Sequence, residues 1–415
     1  MMEALSVMPS YERYKNSDVE WLGDIPEEWS LSRLKFLISI KTGEKDTAHR
    51  VDDGEYPFFI RSPKVQRIDS YSYDGEAILT AGDGDIGKIF HYIDGKFDFH
   101  QRVYKFSDFK RVIGKYLYYY LQYNLAEEVV KLSAKTTVDS LRLPYLQNFI
   151  VAIPSVLEQK AISKFLDFKT QQLDEAIAIK AKQIALLKER KQIIIQNAVT
   201  KGLNSDVQMK DSGVDWIGQI PEHWGVVRFK NLFKQSRLPV RREDGVVTSY
   251  RDGEVTLRSN RRLEGYTEAI LEGGYQGIRK GQLVLNSMDA FEGAIGVSDS
   301  DGKCTPEYVI CDPKSNNVSQ HYFAFLLREM ALAKYIQVIC NAVRQRAVRI
   351  RFNNLAGRFI VLPPKEEQDC IVKYIKAESQ KIDSAITQVA GQIEKLKEYK
   401  VTLINSAVTG KIKVA

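Results

Sequence analysis

The sequence predicts an α+β protein with two globular domains and two long helices, produced by an internal duplication. Residues 15–29 (KNSDVEWLGDIPEEW) reappear as residues 210–224 (KDSGVDWIGQIPEHW). Downstream of each copy, a segment of about forty residues is almost free of Pro and Gly, as a long helix requires. These two observations together predict the same module twice in one chain.

The repeat continues into the helical segments. Residues 150–162 (IVAIPSVLEQKAI) match residues 360–371 (IVLPPKEEQDCI), and residues 197–203 (NAVTKGL) match residues 406–412 (SAVTGKI). The first motif repeats after 195 residues and the later motifs after 209, so the second globular part holds 14 additional residues. Similar motifs at the ends of each copy, with dissimilar sequence between them, predict one scaffold with two specificities. Duplication without functional divergence is the plainer alternative.

Both helical segments carry apolar residues at alternating spacings of four and three, the heptad pattern of a coiled coil. In the first segment these are Leu173, Ile177, Ile184, Leu187, Ile194 and Ala198, and in the second Ile382, Ile386, Ile393, Leu396, Leu403 and Ala407. Lys180, Lys191 and Lys400 fall on the same stripe, so we expect its edges to face water or another protein. Two such helices predict an antiparallel pair, which would relate the globular domains by a pseudo-twofold axis.

These patterns set the expected boundaries. We expect globular domains over residues 1–157 and 204–366, and long helices over residues 158–203 and 367–415.

Within the globular domains, the pattern predicts mixed elements. Strand-like runs cover residues 56–60, 76–81, 88–93 and 101–106. A helix is expected over residues 115–131, with a counterpart at 320–338, whereas residues 31–38 fit either a helix or a strand.

The segment GDGDIGK at residues 82–88 resembles a nucleotide-binding loop. Such a loop needs a helix that begins at the glycines, but the following residues are strand-like, and two aspartates would repel a phosphate. Its counterpart at residues 291–298 keeps only part of the pattern. We therefore interpret this segment as the turn of a β-hairpin.

Composition and motifs argue against an enzyme. The 60 Lys and Arg residues exceed the 53 Asp and Glu residues, which permits a polyanionic partner without requiring one. We find no methyl-transfer loop, complete P-loop, or His and Cys spacing for zinc, so no cofactor, metal or catalytic residue is expected. The chain has no apolar run that could span a membrane, which favours a cytoplasmic protein.

Clusters of basic and amide side chains are candidates for DNA contact, because Arg and Lys suit guanine, Asn and Gln suit adenine, and all can hold phosphates. In the first domain they are Arg61, Ser62, Lys64, Gln66, Arg67, His100, Gln101, Arg102, Lys135, Thr136, Thr137 and Arg142. In the second domain they are Arg258, Ser259, Asn260, Arg261, Arg262, Arg344, Gln345, Arg346, Arg349 and Arg351. Arg61-Ser62 and Arg258-Ser259 both follow an apolar strand, as a repeated site would require. The paired tryptophans of the repeat are expected to pack rather than to stack on bases.

The chain contains the motif WLGDIPEEW, a variable domain, the motif IPSVLEQKAISKFLD and a long helix, in that order, and then a related copy of the whole series. This order resembles the specificity subunit of type I restriction–modification systems. The resemblance covers nearly the whole chain. It implies that each globular domain is a target recognition domain for one half of a split DNA sequence. It also implies that the helices form an antiparallel coiled coil that sets the gap and docks two methyltransferase subunits, to which restriction subunits then join.

Two other classes remain as alternatives. A self-contained DNA methyltransferase or nuclease would need catalytic loops that the sequence lacks. A coiled-coil scaffold without base-specific readout would need no divergent arginine clusters in its globular domains.

Overall fold

A computed structural model describes residues 8–133, 140–261, 274–340 and 349–414. The fold mixes helices and strands, as the sequence predicts. The chain divides into two compact units, one comprising Met1–Lys182 with Val389–Ala415 and the other Gln183–Gln388. Both divisions fall inside long helices, so each unit holds one globular domain and a segment of each helix.

The first unit is organised around one mixed sheet. Its strands are β1 (Tyr14–Asn16), β2 (Asp24–Pro26), β3 (Ser30–Arg33), β4 (Ser39–Thr42), β5 (Tyr56–Phe59), β6 (Gln66–Ile68), β7 (Tyr73–Ala81), β8 (Phe90–Phe99), β9 (Val103–Ser107) and β10 (Ile150–Ile153). Its shorter helices are α1 (Gly114–Ser133), α2 (Leu143–Asn148) and 3-10 turns at Leu34–Phe36 and Thr47–His49. The main sheet has the order β4-β9-β7-β8-β5-β6 and is antiparallel except where β5 pairs with β8.

The first long helix, α3, covers Val156–Lys201. Residues 31–38, which fit either a helix or a strand by sequence, contain both: β3 ends at Arg33 and a 3-10 turn follows.

The second unit has a smaller main sheet. Its strands are β11 (Met209–Asp211), β12 (Gln219–Pro221), β13 (Gly225–Arg228), β14 (Phe233–Gln235), β15 (Val247–Ser249), β16 (Val255–Leu257), β17 (Gln276–Ile278), β18 (Leu283–Asn286), β19 (Ile295–Val297), β20 (Gly302–Cys304), β21 (Tyr308–Pro313) and β22 (Phe359–Leu362). Its helices are α4 (Phe229–Leu232), α5 (Gln320–Leu332), α6 (Tyr335–Ile339), α7 (Phe352–Ala356) and 3-10 turns at Arg258–Asn260 and Ala290–Glu292. The main sheet has the antiparallel order β14-β21-β18-β19.

The second long helix, α8, covers Lys365–Val408. The single helix expected over residues 320–338 is instead two helices, α5 and α6. Lys334 separates them in a left-handed conformation (φ 58°), which a continuous helix cannot contain.

In the first unit, the repeated Glu-Gln pair at the start of α3 fastens the helix to the globular domain. Glu158 accepts a hydrogen bond from Trp29 Nε1 at 3.2 Å. The buried Gln159 accepts from Ile113 N at 2.7 Å and donates to Arg111 O at 3.0 Å. These bonds satisfy polar groups that would otherwise be buried unpaired, which would cost roughly 1–3 kcal/mol each.

The second unit repeats this arrangement with the corresponding residues. Glu367 accepts from Trp224 Nε1 at 3.0 Å. Gln368 accepts from Ser319 N at 2.8 Å and donates to Asn317 O at 3.1 Å. Trp29 and Trp224 are 1% and 0% exposed, which agrees with the expected packing role.

In each unit, a buried tyrosine meets the carboxyl-terminal end of a long helix. Tyr116 OH donates to Val408 O at 3.1 Å in the first unit, and Tyr322 OH donates to Val199 O at 2.7 Å in the second. These tyrosines are 206 residues apart, between the offsets of 195 and 209. Eleven of the 14 additional residues therefore precede the tyrosine, and three follow it.

The lysines on the heptad stripe donate hydrogen bonds to side chains of the other long helix. In the first unit, Lys400 Nζ donates to both Asp174 carboxylate oxygens at 2.6 and 2.7 Å, and Lys180 Nζ donates to Gln392 Oε1 at 2.6 Å. Residue numbers rise along one helix as they fall along the other, so these two segments run antiparallel.

The corresponding lysine of the second unit makes the same kind of pair. Lys191 Nζ donates to the two Asp383 oxygens at 2.7 and 2.8 Å. These lysines remain partly exposed to water, as expected for the edges of the stripe, and each also binds an aspartate or a glutamine of the other long helix.

Candidate nucleic-acid interface

In the first unit, an acidic side chain lies against two of the expected DNA-binding arginines. Asp83 accepts from Arg61 Nη1 at 2.6 Å and from Arg102 Nη1 at 3.0 Å. Arg61 follows β5, Asp83 lies in the β7–β8 connection, and Arg102 lies in the β8–β9 turn. We name these three residues the Asp83 cluster. Its carboxylate orients both guanidinium groups and leaves their side chains 38% and 59% exposed.

His100 and Gln101 adjoin the Asp83 cluster but differ in accessibility. His100 is 3% exposed, and its Nδ1 accepts from Arg102 N at 3.0 Å. Burial and the nearby Arg61 charge lower the pKa of His100 below its usual range, which favours this acceptor role. Gln101 lies at the surface and donates to Asp46 Oδ2 at 3.1 Å. His100 thus positions the turn, and Gln101 is accessible to a ligand.

Three other expected residues, Ser62, Lys64 and Arg67, lie in or beyond the loop that follows Arg61. Ser62 Oγ accepts from Lys64 N at 3.1 Å, which leaves the Lys64 side chain exposed. Arg67 donates through Nε to Gly54 O at 2.8 Å and through Nη2 to Glu55 O at 2.9 Å. Backbone carbonyls bind one edge of this guanidinium, which favours a structural role for Arg67.

Several expected residues lie outside the described residues and have no place in this geometry. They are Lys135, Thr136, Thr137, Arg262, Arg344, Gln345 and Arg346.

In the second unit, Arg258, Ser259 and Asn260 form a 3-10 turn directly after β16. They therefore occupy the same kind of position as Arg61 and Ser62 after β5. Arg258 Nε donates to Thr248 Oγ1 at 3.3 Å, and Asn260 Nδ2 donates to Thr256 Oγ1 at 2.8 Å. The sequence motif thus has the corresponding position in both units, but its side chains are held by different partners.

Arg261 is held by two carboxylates and a ring. Its Nη1 lies 2.7 Å from Asp252 Oδ2 and 2.9 Å from Glu254 Oε2, and its guanidinium lies 4.1 Å from the centre of the Tyr250 ring. The Asp252 hydrogen bond raises the pKa of Arg261 above its usual value. This group is rigidly placed on the exposed side of the domain.

A second acidic residue of a hairpin connection also binds an arginine. Asp289, between β18 and β19, accepts from Arg251 Nη2 at 3.0 Å, and Glu292 pairs with the same guanidinium. Each unit therefore has a hairpin aspartate that orients arginine, but the arginines belong to different elements. Sequence reasoning missed Asp83, Asp289 and Arg251 because no spacing rule links them to their partners.

Arg142 and Arg351 occupy equivalent places in the two units. Each is the last extended residue before a short helix, α2 or α7. They are 209 residues apart, the same offset as the later repeat motifs. Glu307 lies 3.6 Å from Arg351 and 3.9 Å from Arg349.

The hairpin interpretation of residues 82–88 is confirmed. They connect β7 to β8, which pair antiparallel, and no helix begins at the glycines. In the described part of the chain, no group of three or more His, Cys, Asp or Glu side chains could hold a metal ion. Among those same residues, no helix is both long and apolar enough to cross a membrane.

Comparison with known proteins identifies relatives of this chain. Residues 26–189 match the family model described as the type I restriction modification DNA specificity domain. The EcoDI specificity subunit of Escherichia coli is 23% identical over 413 residues, which cover 94% of this chain and 90% of the relative. The MjaVIII specificity subunit of Methanocaldococcus jannaschii is 24% identical, with 94% of both chains covered.

The chain is thus similar to type I restriction enzyme specificity subunits over most of its length.

Solved structures support the same fold. A chain from a type I R–M system, solved in work on complex assembly and conformational transition, superposes with a TM-score of 0.65 at 14% identity. The match covers 92% of this chain and 98% of that one. The HsdS subunit from Thermoanaerobacter tengcongensis gives a TM-score of 0.50 at 14% identity, with 94% and 98% covered.

Proposed function

We propose that this chain is the DNA-reading subunit of a type I restriction–modification complex and performs no chemistry itself. Each globular domain acts as a target recognition domain for one half of a bipartite DNA sequence. The long helices set the gap between the half-sites and dock two methyltransferase subunits. Restriction and translocase subunits join through that methyltransferase core.

One observation carries this proposal: the two units share an internal scaffold but present different surfaces. Glu158 and Glu367 fasten the same element in each unit to a tryptophan. The exposed arginines are held differently, by Asp83 in one unit and by Asp289 in the other. Because base readout depends on the placement of such side chains, the two half-sites should differ in sequence.

The candidate contacts are the accessible members of the predicted clusters. Arg61, Arg102 and Gln101 are proposed for the first half-site, and Arg258, Arg261 and Arg351 for the second. Arg61 uses Nη1 for Asp83, so the remaining donors of its guanidinium can approach a base edge or a phosphate.

We further propose that the long helices form an antiparallel coiled coil with pseudo-twofold symmetry. The pairs Lys400–Asp174 and Lys191–Asp383 support this, because both members of one pair lie 209 residues from their counterparts in the other. A rigid spacer of this kind sets the half-site separation, as in dimeric DNA readers. The division into residues 1–157, 158–203, 204–366 and 367–415 is proposed on the same repeat.

The family supports the remaining assignments. A subunit that only reads DNA needs partners for methyl transfer and cleavage, which is why no cofactor is proposed for this chain. We place it in the cytoplasm with its DNA substrate. The similarity to specificity subunits does not favour the alternative, a scaffold without base-specific readout.

Selection from a randomised duplex library tests this function. The full chain, assembled with its methyltransferase, should enrich a split motif with two different halves and an unread gap of constant length. Enrichment of one continuous motif, or of none relative to the methyltransferase alone, would contradict the proposal.

A further inference from the structure

The second unit contains a groove of about 840 Å³ between its globular domain and its segments of the two long helices. The Tyr250–Glu254 turn region and α5 form one side, and residues of α3 and α8 form the other. Its basic lining residues are Lys191, Arg328 and Lys376. A smaller cavity of about 220 Å³ shares Arg328 and Lys376 with this groove.

Arg328 lines the groove, and its side chain is partly buried. No hydrogen bond or ion pair joins its guanidinium to another described residue, and its Nε is buried and unsatisfied. Gly253 provides the room for it: a Cβ there would lie 2.4 Å from Arg328 Nη1. Burial lowers the pKa of Arg328 below its usual range, which reflects the cost of removing this charge from water.

The neighbouring acids Asp252 and Glu329 act on the charge of Arg328, but neither is bound to its guanidinium. Glu329 is adjacent, but burial raises its pKa to about 7 and it accepts a hydrogen bond from Gln192 Nε2 at 2.6 Å. Asp252 is engaged by Arg261 at 2.7 Å. Arg328 therefore has acids nearby but none bound directly to its guanidinium, and an incoming anion would supply that hydrogen-bonded contact.

The lining favours a carboxylate on a protein over the DNA backbone. The groove also presents Asp252, Glu254 and Asp383, which would repel a continuous row of phosphates. Phe325 and Ile195 add apolar surface. One acidic side chain of a packed protein segment can reach Arg328 in a groove of this volume.

The first unit keeps the counterpart of Lys191, which is Lys400, but has no basic residue at the positions that correspond to Arg328 and Lys376. At the offset of 206 residues given by the tyrosines of α1 and α5, the counterpart of Arg328 is Gln122. At the offset of 209, the counterpart of Lys376 is Asp167, which pairs with Lys115 at 3.1 Å. At these two positions the second unit is basic and the first is not, although the repeat supplies equivalent elements in both.

We propose that Arg328, assisted by Lys376, binds a carboxylate side chain of the methyltransferase copy that docks on the second unit. This inference rests on the proposed function and deepens it, because it makes the two docking positions chemically different. One copy gains a charge-assisted contact that the other lacks, so the two copies should bind with different affinities.

The test is titration of the full chain with its purified methyltransferase, with the two binding steps resolved by calorimetry. Arg328→Met should weaken one step at least about tenfold and leave the other unchanged, since truncating one partner of a buried charge pair is costly. Arg328→Lys should recover part of the loss. Gln122→Leu, at the corresponding place in the first unit, is the matched control and should alter neither step.

Thermal unfolding of the free chain separates a binding role from a structural one. Arg328→Met should leave the melting temperature unchanged or raise it, because it removes an unpaired buried charge. A lowered melting temperature with normal assembly would overturn the inference, as would unchanged assembly or weakened DNA binding alone. If wild-type chain fails to bind the methyltransferase at all, the proposed function itself fails.

Discussion

Glu158 Oε1 accepts a hydrogen bond from Trp29 Nε1 at 3.2 Å, although 129 residues separate the two in the chain. The same oxygen also accepts from Tyr11 OH at 2.5 Å. The contact joins the most recognisable motif of the repeat, IPEEW, to the first turn of a long helix. It explains physically why these two motifs recur together in both halves.

Glu158→Ala should lower the free energy of unfolding by about 1–3 kcal/mol, because it leaves a buried indole N–H without an acceptor. Glu158→Gln retains an acceptor and should cost less. Urea unfolding of the full chain, followed by tryptophan fluorescence, measures the difference. Glu175→Ala, an exposed position on the same helix, is the control, and equal losses at both positions would refute this role.

The lysine pairs between the long helices should contribute little stability. Lys191 and Asp383 are 29% and 56% exposed, and exposed pairs of this kind typically contribute about 0.2–1 kcal/mol. A double-mutant cycle with Lys191→Met and Asp383→Leu should give a coupling in that range that falls with added salt. A coupling well above 2 kcal/mol would show that the pair, rather than apolar packing, holds these segments together.

Within the Asp83 cluster, Arg61→Ala should weaken binding of the complex to its target by about 1–3 kcal/mol. The loss should relax specificity in the first half-site and leave the second half-site unchanged. Competition binding with duplexes altered in one half at a time measures this.

Arg67→Ala is the matched control for that experiment. Its guanidinium is bound to Gly54 and Glu55 carbonyls, so we expect a loss of stability with little change in sequence preference. Equal relaxation of specificity by both variants would contradict the assignment of Arg61.

Glu329 should make stability depend on pH. Burial raises its pKa from 4.5 to about 7, so the folded chain retains a proton that the unfolded chain releases between these values. The associated stability is complete below pH 4.5 and is lost as pH rises through 7. Glu329→Gln should therefore be more stable than wild type at pH 8, by on the order of 2 kcal/mol, and similar at pH 4. Chemical unfolding at both pH values measures this, and a pH-independent difference would contradict it.

Much of the architecture was predictable because it depends on local pattern. The near-absence of Pro and Gly and the heptad stripe predicted long helices, and Val156–Lys201 and Lys365–Val408 are helical. The strand-like residues around GDGDIGK identified the hairpin. The break at Lys334 was not predictable, because the apolar spacing on both sides of it remains compatible with one helix.

The site was less predictable because its contacts join distant residues. Asp83 was interpreted by sequence only as an obstacle to phosphate, yet it orients Arg61 and Arg102, which lie 22 and 19 residues away. Arg67 belongs to the same basic cluster by sequence but binds backbone carbonyls. Spacing alone cannot separate a guanidinium that holds a loop from one that is presented to a ligand.

The most direct test of the account is an adenine methylome of cells that express this chain with its methyltransferase, compared with cells that express the methyltransferase alone. A second strain carries residues 15–150 exchanged for the corresponding segment of a relative. The account predicts a split motif that requires this chain and changes in one half only after the exchange. Methylation that is the same without the chain, or an exchange that alters both halves, would contradict it.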